Sequence, residues 1–295
     1  TCLLALSIVL RKTSFQKPFI DMAYCKVILK QSIPFALLHL FTSIHNRVDT
    51  VIIERILPVE TGAEQVGVYA SAFRLLDAGI IIAYLVSVIC MPLFSNMIAN
   101  KQKVDEILKT SFIILFVYGI VIAVASFFYS QELMNLLYVN HIQESAAVYK
   151  ILMLSIFPIV LTYVFGSLLT ANGNLKQLNI IAILAVCMSL VLNFILVPIY
   201  EAKGSAWASL ITQMFIITSE IYLAIKLFQF KIKAHFILKL LIFTFGIILL
   251  NIASKYLPFL WWQNFSIMLT GAVVIVFISR LIKIKDIVAL FSSMK

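Results

Sequence analysis

Charged residues are scarce in this chain, which indicates that most of it is surrounded by lipid and not by water. Asp, Glu, Lys and Arg make up 12% of the 295 residues, whereas 62% are hydrophobic. Soluble globular domains carry about a quarter charged residues, so a water-soluble globule is excluded and most of the chain is predicted to lie in lipid. The net charge of +10 would suggest nucleic acid in a soluble domain. In a membrane protein a basic excess is typical of cytoplasmic loops, so no nucleic acid is expected as a partner.

The sequence also lacks the residue patterns of several enzyme classes. Its 4 cysteines have neither metal-ligand spacing nor an extracellular pairing pattern. No phosphate-binding loop of the ATP-hydrolysing type is present, and no loop carries a His, Asp and Ser constellation or a metal-ligating cluster. We therefore expect no catalytic residue, no cofactor and no metal. The chain is predicted to move a substrate and not to be an enzyme.

Long apolar runs are what the sequence does contain. About 20 helical residues cross roughly 30 Å of hydrocarbon, and a helix satisfies its own backbone hydrogen bonds in lipid. Eight runs meet this length: 32–53, 69–94, 108–129, 149–170, 178–199, 204–226, 236–254 and 261–281. The longest loop, 130–148, contains a predicted short interfacial helix at 132–138.

Lysine and arginine alternate between the loops, which predicts an orientation. They are concentrated in every second loop, beginning with the segment before the first span. The intervening loops hold only Arg55, Lys150, Lys203 and Lys255. Because basic residues favour cytoplasmic loops, the segment before the first span is predicted to face the cytoplasm.

Polar residues inside the first two spans mark a cavity or buried pairs, since charges in lipid are costly. On the helical wheel of the first span, the polar half comprises His39, Thr42, Ser43, Asn46, Arg47, Asp49 and Thr50. The apolar half comprises Leu37, Leu40, Phe41, Ile44, Val48 and Val51. The second span adds Arg74 and Asp77. Two interpretations remain open: structural salt bridges, Arg47 with Asp77 or Asp49 with Arg74, and a cationic site for a phosphate-bearing ligand.

A third polar stripe lies on the sixth span and consists of Ser205, Ser209, Thr212, Gln213, Ser219 and Glu220. Its small hydroxyl residues are typical of packing between membrane helices. Glu220 is a candidate proton or cation site, although its side chain could also reach the nearby basic loop. His39 and His45 are interpreted as hydrogen-bonded helix contacts.

Several segments, in order, resemble one transporter family. Residues 193–209 resemble the Asn, Leu, Pro and Gly-Ala-Ala hairpin of the oligosaccharide flippases in the multidrug/oligosaccharidyl-lipid/polysaccharide exporter superfamily. Residues 34–49 are similar to the helix that opens the second lobe of that family. Residues 66–74 resemble its Val-Gly-x-Tyr-x-x-Ala-x-Arg motif, and 171–174 resemble its small-residue cytoplasmic turn. Glu201 and Ser205 depart from the pattern, which usually has Gly and Ala at these positions.

The resemblance implies an all-α integral membrane fold, a polytopic bundle made of two six-helix lobes around a central cavity and often two extra helices. In this chain, 1–10 would be the tail of a truncated transmembrane helix and 11–31 a cytoplasmic linker between lobes. Residues 32–226 would form the second six-helix lobe. Residues 227–295 would add two transmembrane helices and a cytoplasmic tail.

The resemblance also implies a function, which is to turn a polyprenyl-pyrophosphate-linked oligosaccharide from the inner to the outer leaflet of the bacterial inner membrane. The product would serve cell-surface polysaccharides such as O-antigen. The implied partners are this lipid-linked oligosaccharide, membrane lipid and the polysaccharide polymerase machinery. Candidate substrate-binding residues are Ser43, Asn46, Arg47, Arg74 and Gln213, the arginines for pyrophosphate and the others for sugars. Candidates for ion coupling or charge balance are Asp49, Asp77 and Glu220.

Other functions stay open at this stage. A multidrug or peptidoglycan-precursor exporter of the same superfamily would share these features. A membrane-embedded polysaccharide polymerase or ligase, or a noncatalytic assembly scaffold, belongs to a different class.

Overall fold

The computed structural model describes residues 21–230, 233–279 and 281, and its regular elements there are helices. They are α1 (Met22–Ile56), α2 (Val59–Ala99), α3 (Asp105–Phe128), α4 (Ser130–Leu137), α5 (Ile142–Leu152), α6 (Ile156–Ala171), α7 (175–200), α8 (202–228), α9 (Ala234–Lys255) and α10 (Trp261–Ile278). The predicted all-α polytopic membrane fold is confirmed. The truncated span predicted at 1–10, the first half of the linker and the tail after 281 lie outside the described residues.

Helix α1 begins well before the first predicted span. The side chain of Asp21 caps it by accepting a hydrogen bond from the backbone N–H of Ala23 at 2.9 Å. Residues 22–31, in the predicted linker, are therefore its first turns. With 35 residues the helix is about 52 Å long, which exceeds the roughly 30 Å of a hydrocarbon core. Its lysine-bearing first turns can therefore lie outside the lipid.

Helices α7 and α8 follow each other without a loop and reverse direction at Glu201. That residue has φ 52° and ψ −135°, which is not helical. The Ser205 hydroxyl consequently donates to Asn193 Oδ1 at 2.7 Å, although 12 residues of straight helix would separate them by about 18 Å. At Gly204 a Cβ would lie only 2.2 Å from the carbonyl oxygen of Leu196, so the close crossing requires glycine. One of the 7 helices that are long and apolar enough to cross a membrane is folded back here, so the described residues provide eight apolar helical segments, as many as the sequence predicts.

A single crossing is shared by α5 and α6, which are joined by the 3₁₀ turn Met153–Ser155. Pro158 lies just after this turn and has no N–H to donate to the carbonyl of Leu154, which loosens the helix there. Short helix α4 confirms the helix predicted at 132–138.

The last two helices, α9 and α10, pack against the outside of the other eight. Helix α1 packs mainly on the α7–α8 hairpin and α2 on α6, and α6 also contacts α3 and the hairpin. Helices α9 and α10 pack on each other and on α3. Where α3 and α9 end, the Tyr129 and Ser254 hydroxyls are 2.6 Å apart and Lys255 pairs with Glu132. We call α1–α8 the main bundle; its assignment as a second lobe stays a prediction.

Candidate functional site

Five helices of the main bundle, α1, α2, α6, α7 and α8, line a partly open cavity of about 330 Å³, here called the internal cavity. Its polar axis comes from two helices that face each other, with Thr42, His45 and Asp49 on α1 and Ser209, Gln213 and Glu220 on α8. Each set repeats at intervals of three, four or seven residues, so its members lie on one helix face. Such a concentration of polar groups within membrane helices is typical of a functional site.

Asp49 is held at the end of the cavity nearest the α7–α8 turn, and its residue is only 2% exposed. The Tyr69 hydroxyl donates to Oδ2 at 2.6 Å, and the Asn193 amide donates to Oδ1 at 2.9 Å. The Ser205 hydroxyl donates to the other end of the same Asn193 amide, which fixes its orientation. Neutral donors from α2 and α7 thus satisfy this carboxyl group.

The predicted pairing of Asp49 with Arg74 is therefore wrong. Helix α2 meets Asp49 through Tyr69, and Arg74 is five residues further along, about 140° around the helix. Among the described residues neither Arg74 nor Arg47 forms a salt bridge, so the predicted Arg47–Asp77 bridge is also absent.

Further from the α7–α8 turn, polar atoms in the cavity lack partners. His45 Nε2 lies 3.0 Å from Gln213 Nε2, which confirms His45 as a hydrogen-bonded helix contact. Within the described residues, His45 Nδ1, Thr162 Oγ1 and Glu220 Oε2 have no hydrogen-bond partner. Leaving such groups dry is costly, and a polar cavity of this size has room for water that would satisfy them.

Glu220 points into the main bundle and not toward the basic loop. Its residue is 5% exposed, and its carboxylate lies over Gly166 on α6, where a Cβ would be 3.5 Å from Oε1. The alternative prediction, that the Glu220 side chain reaches the basic loop, is therefore wrong.

The predicted substrate residues divide between three locations. Asn46 and Gln213 line the internal cavity, as do the predicted coupling residues Asp49, Asp77 and Glu220.

Ser43 and Arg47 are exposed on a neighbouring face of α1. We call this face the polar row, and it comprises His39, Ser43, Arg47 and Thr50. Phe41, on the apolar half of the wheel, also lines the cavity.

Arg74 occupies a separate outer pocket between α2 and the segment that joins α4 to α5. At the same pocket, His141 Nδ1 lies 3.0 Å from Glu64 Oε1 and 3.8 Å from Glu144 Oε2. All three side chains are nearly half exposed. The structure therefore does not bring Arg74 together with the other predicted substrate residues.

Sequence reasoning missed Tyr69, Asn193 and Thr162 as site residues. Tyr69 and Asn193 lie in segments that carry the family resemblance, and that position was the available signal for both. Nothing in the local pattern marks Thr162, because a single hydroxyl in an apolar span is typical of helix packing.

The sequence profile of the MatE family matches residues 34–195, a range that includes Asp49, Tyr69, Thr162 and Asn193. None of the curated protein sequences matches the chain. The agreement with the family therefore comes from its profile and from solved structures.

Solved structures of low sequence identity share the fold. A lipid II flippase MurJ in an inward closed conformation is 14% identical, with a TM-score of 0.70 over 97% of this chain and 60% of its own. A MOP superfamily transporter from Pyrococcus furiosus is 15% identical, with a TM-score of 0.56 over 90% of this chain and 67% of its own. An outward-facing multidrug resistance MATE family transporter is 14% identical, with a TM-score of 0.57 over the same shares.

The chain thus spans 60% of the length of the MurJ structure that it resembles. At these identities the likeness shows the fold alone, that of MOP superfamily transporters. The family profile is the stronger finding, because it covers more than half of the chain, including Asp49 and its partners Tyr69 and Asn193. This chain belongs to the MatE family.

Proposed function

We propose that this chain is part of a membrane transporter that turns a pyrophosphate-linked, lipid-anchored oligosaccharide from the inner to the outer leaflet of a bacterial inner membrane. Membership in the MatE family supports a transporter over a polymerase, a ligase or an assembly scaffold. The resemblance of 193–209 and 66–74 to the oligosaccharide flippases supports the finer assignment. On this proposal the protein is not an enzyme.

The observation that carries the proposal is the polar row of α1. Arg47 lies nine residues before the end of α1 at Ile56, about 13 Å along the helix. It is exposed and has no salt bridge among the described residues. A cation at this depth is costly against lipid, so it should face water, protein or an anionic ligand. The planar fork of an arginine matches phosphate oxygens, which suits the pyrophosphate of the proposed substrate.

Neutral groups beside Arg47 suit the sugar part of the same substrate. Ser43 precedes Arg47 by one helical turn, and Asn46 lies between this face and the internal cavity. Hydroxyl and amide side chains both donate and accept hydrogen bonds, as sugar hydroxyls require. Gln213 on α8 offers a further amide group to the sugars. Arg74 would contact the substrate only at the outer pocket.

For ion coupling, the proposal assigns Asp49 as the carboxylate that binds the coupling cation. Among the described residues it accepts from two neutral donors and has no arginine or lysine partner, so a coupling cation would balance the charge of its carboxylate. Asp77 lines the same cavity and would balance charge near the polar row.

The experiment compares arginines on one helix. In cells whose surface glycan depends on this protein, Arg47→Ala should abolish glycan export at normal protein abundance. Arg47→Lys should retain part of it through the remaining charge. Arg55→Ala is the matched control, because Arg55 is exposed in the last turn of α1 and should export normally. Full export by Arg47→Ala would rule out the pyrophosphate role.

A peptidoglycan-precursor exporter is the second candidate, because the lipid II flippase MurJ shares the fold over 97% of this chain. The lipid fraction of cells depleted of the protein distinguishes the two. Accumulation of lipid-linked oligosaccharide favours the first function, and accumulation of a peptidoglycan precursor favours the second.

A further inference from the structure

We infer that Glu220 is a proton-binding group of the main bundle, reached by water in the internal cavity and separate from Asp49. In the binding step, Glu220 Oε2 takes one proton from a hydronium ion in the cavity, which becomes water, so the carboxylate becomes a neutral acid. The inference concerns proton binding only and does not rest on the proposed substrate.

In the described part of the chain, the surroundings of Glu220 contain no positively charged partner. The titratable groups that line its cavity are His45 and Asp49 on α1, Asp77 on α2 and Tyr163 on α6, and α7 contributes none. Of the residues that the structure describes, no lysine or arginine lines the cavity. An isolated buried carboxylate without a cation is far costlier than its neutral form, so a buried carboxyl group in such a place commonly carries a proton.

Polar atoms lead from Glu220 toward Asp49. Gln213 is seven residues before Glu220 on α8, about 10 Å along the helix, and it contacts His45. His45 is one helical turn from Asp49 on α1. Glu220 Oε2, Thr162 Oγ1 and His45 Nδ1 are the unpartnered buried atoms of residues in this cavity. Water bound by these three atoms would join Glu220 to His45, and water chains of this kind carry protons.

Two features separate this site from Asp49. Asp49 is satisfied by Tyr69 and Asn193, whereas Glu220 Oε2 has no partner in the described chain. They also lie at opposite ends of the polar axis. Asp49 bonds to Asn193 near the α7–α8 turn, whereas Glu220 lies far from that turn on α8, over Gly166 of α6.

The test is infrared spectroscopy of the purified protein across a pH series, following the C=O stretch of protonated carboxylic acids. We expect a titrating band from a buried acid that is lost in Glu220→Gln. The band should persist in Glu144→Gln, the same substitution at an exposed carboxylate. A band unchanged in Glu220→Gln, or absent from the unmodified protein, would overturn the inference.

A second variant keeps the carboxylate and changes only its access to water. In Gly166→Ala the new methyl group would lie in ordinary contact with Glu220, 3.5 Å from Oε1, so the fold should tolerate it. Hydrogen–deuterium exchange of the Glu220 band should slow in this variant, because the methyl group displaces water from the carboxylate. Unchanged exchange would contradict a cavity-borne supply of protons. Full glycan export by Arg47→Ala, with an intact Glu220 titration, would count against the proposed function alone.

Discussion

At the residue scale, Asp49 is held by a tyrosine hydroxyl and an asparagine amide from two different helices. A buried carboxyl group at lipid depth must be satisfied, because an orphaned polar group costs several kcal/mol. The Asn193 amide is itself oriented by Ser205. These contacts fasten α1 to α2 and to the α7–α8 hairpin through one side chain.

Removing the tyrosine hydroxyl tests this network. Tyr69→Phe should lower the free energy of unfolding by about 1 to 3 kcal/mol, because one oxygen of a buried carboxyl group loses its donor. Thermal unfolding of the protein in detergent measures the change. Tyr84→Phe is the control, since Tyr84 is exposed on the same helix and should unfold as the unmodified protein does. Equal effects of the two substitutions would show that the Asp49 contact contributes little.

At the element scale, the turn between α7 and α8 depends on one residue in an unfavourable conformation. Glu201 has φ 52° and ψ −135°, a region populated almost entirely by glycine, because a Cβ is crowded there. The side chain of Glu201 therefore costs stability at the point where the hairpin reverses.

Glycine should relieve this cost. We expect Glu201→Gly to stabilise the protein by roughly 1 kcal/mol or more, seen as a higher unfolding temperature in detergent. The neighbouring Lys203→Gly should have the opposite sign, because Lys203 is helical and glycine destabilises a helix by about 1 kcal/mol. A lower unfolding temperature for Glu201→Gly would mean that its side chain makes a contribution that outweighs its backbone strain.

The element boundaries show how much the sequence could predict. The eight apolar helical segments could be predicted from apolar length alone, because lipid imposes that length on every spanning helix. The start of α1 at Met22 was not predicted, because polar turns that extend a helix into water carry no hydropathy signal. The partners of Asp49 were not predicted either, since Tyr69 and Asn193 lie 20 and 144 residues away in sequence. A helical wheel gives the face of a residue and not the helix that packs against it.

At the scale of the whole molecule, the alternation of basic loops predicts which side of the membrane each helix end faces. In a variant without native cysteines, Gln102→Cys in the turn after α2 should react with a membrane-impermeant thiol reagent only when the cytoplasmic side is open. Asn140→Cys, before α5, should react in intact cells. Both positions are exposed, so access is limited by the membrane alone. Labelling of Gln102→Cys from outside would reverse the orientation.

The tight α7–α8 reversal has a consequence for how the protein is made. Because Glu201 alone separates the two helices, both are synthesised within 54 consecutive residues. Almost no hydrophilic chain needs to be translocated between them, and the backbone of each helix is already hydrogen-bonded. We therefore expect the pair to enter the bilayer as a preassembled hairpin. The Asp49 carboxyl group, which is synthesised much earlier, would lack its hydrogen bond from the Asn193 amide until that hairpin is inserted.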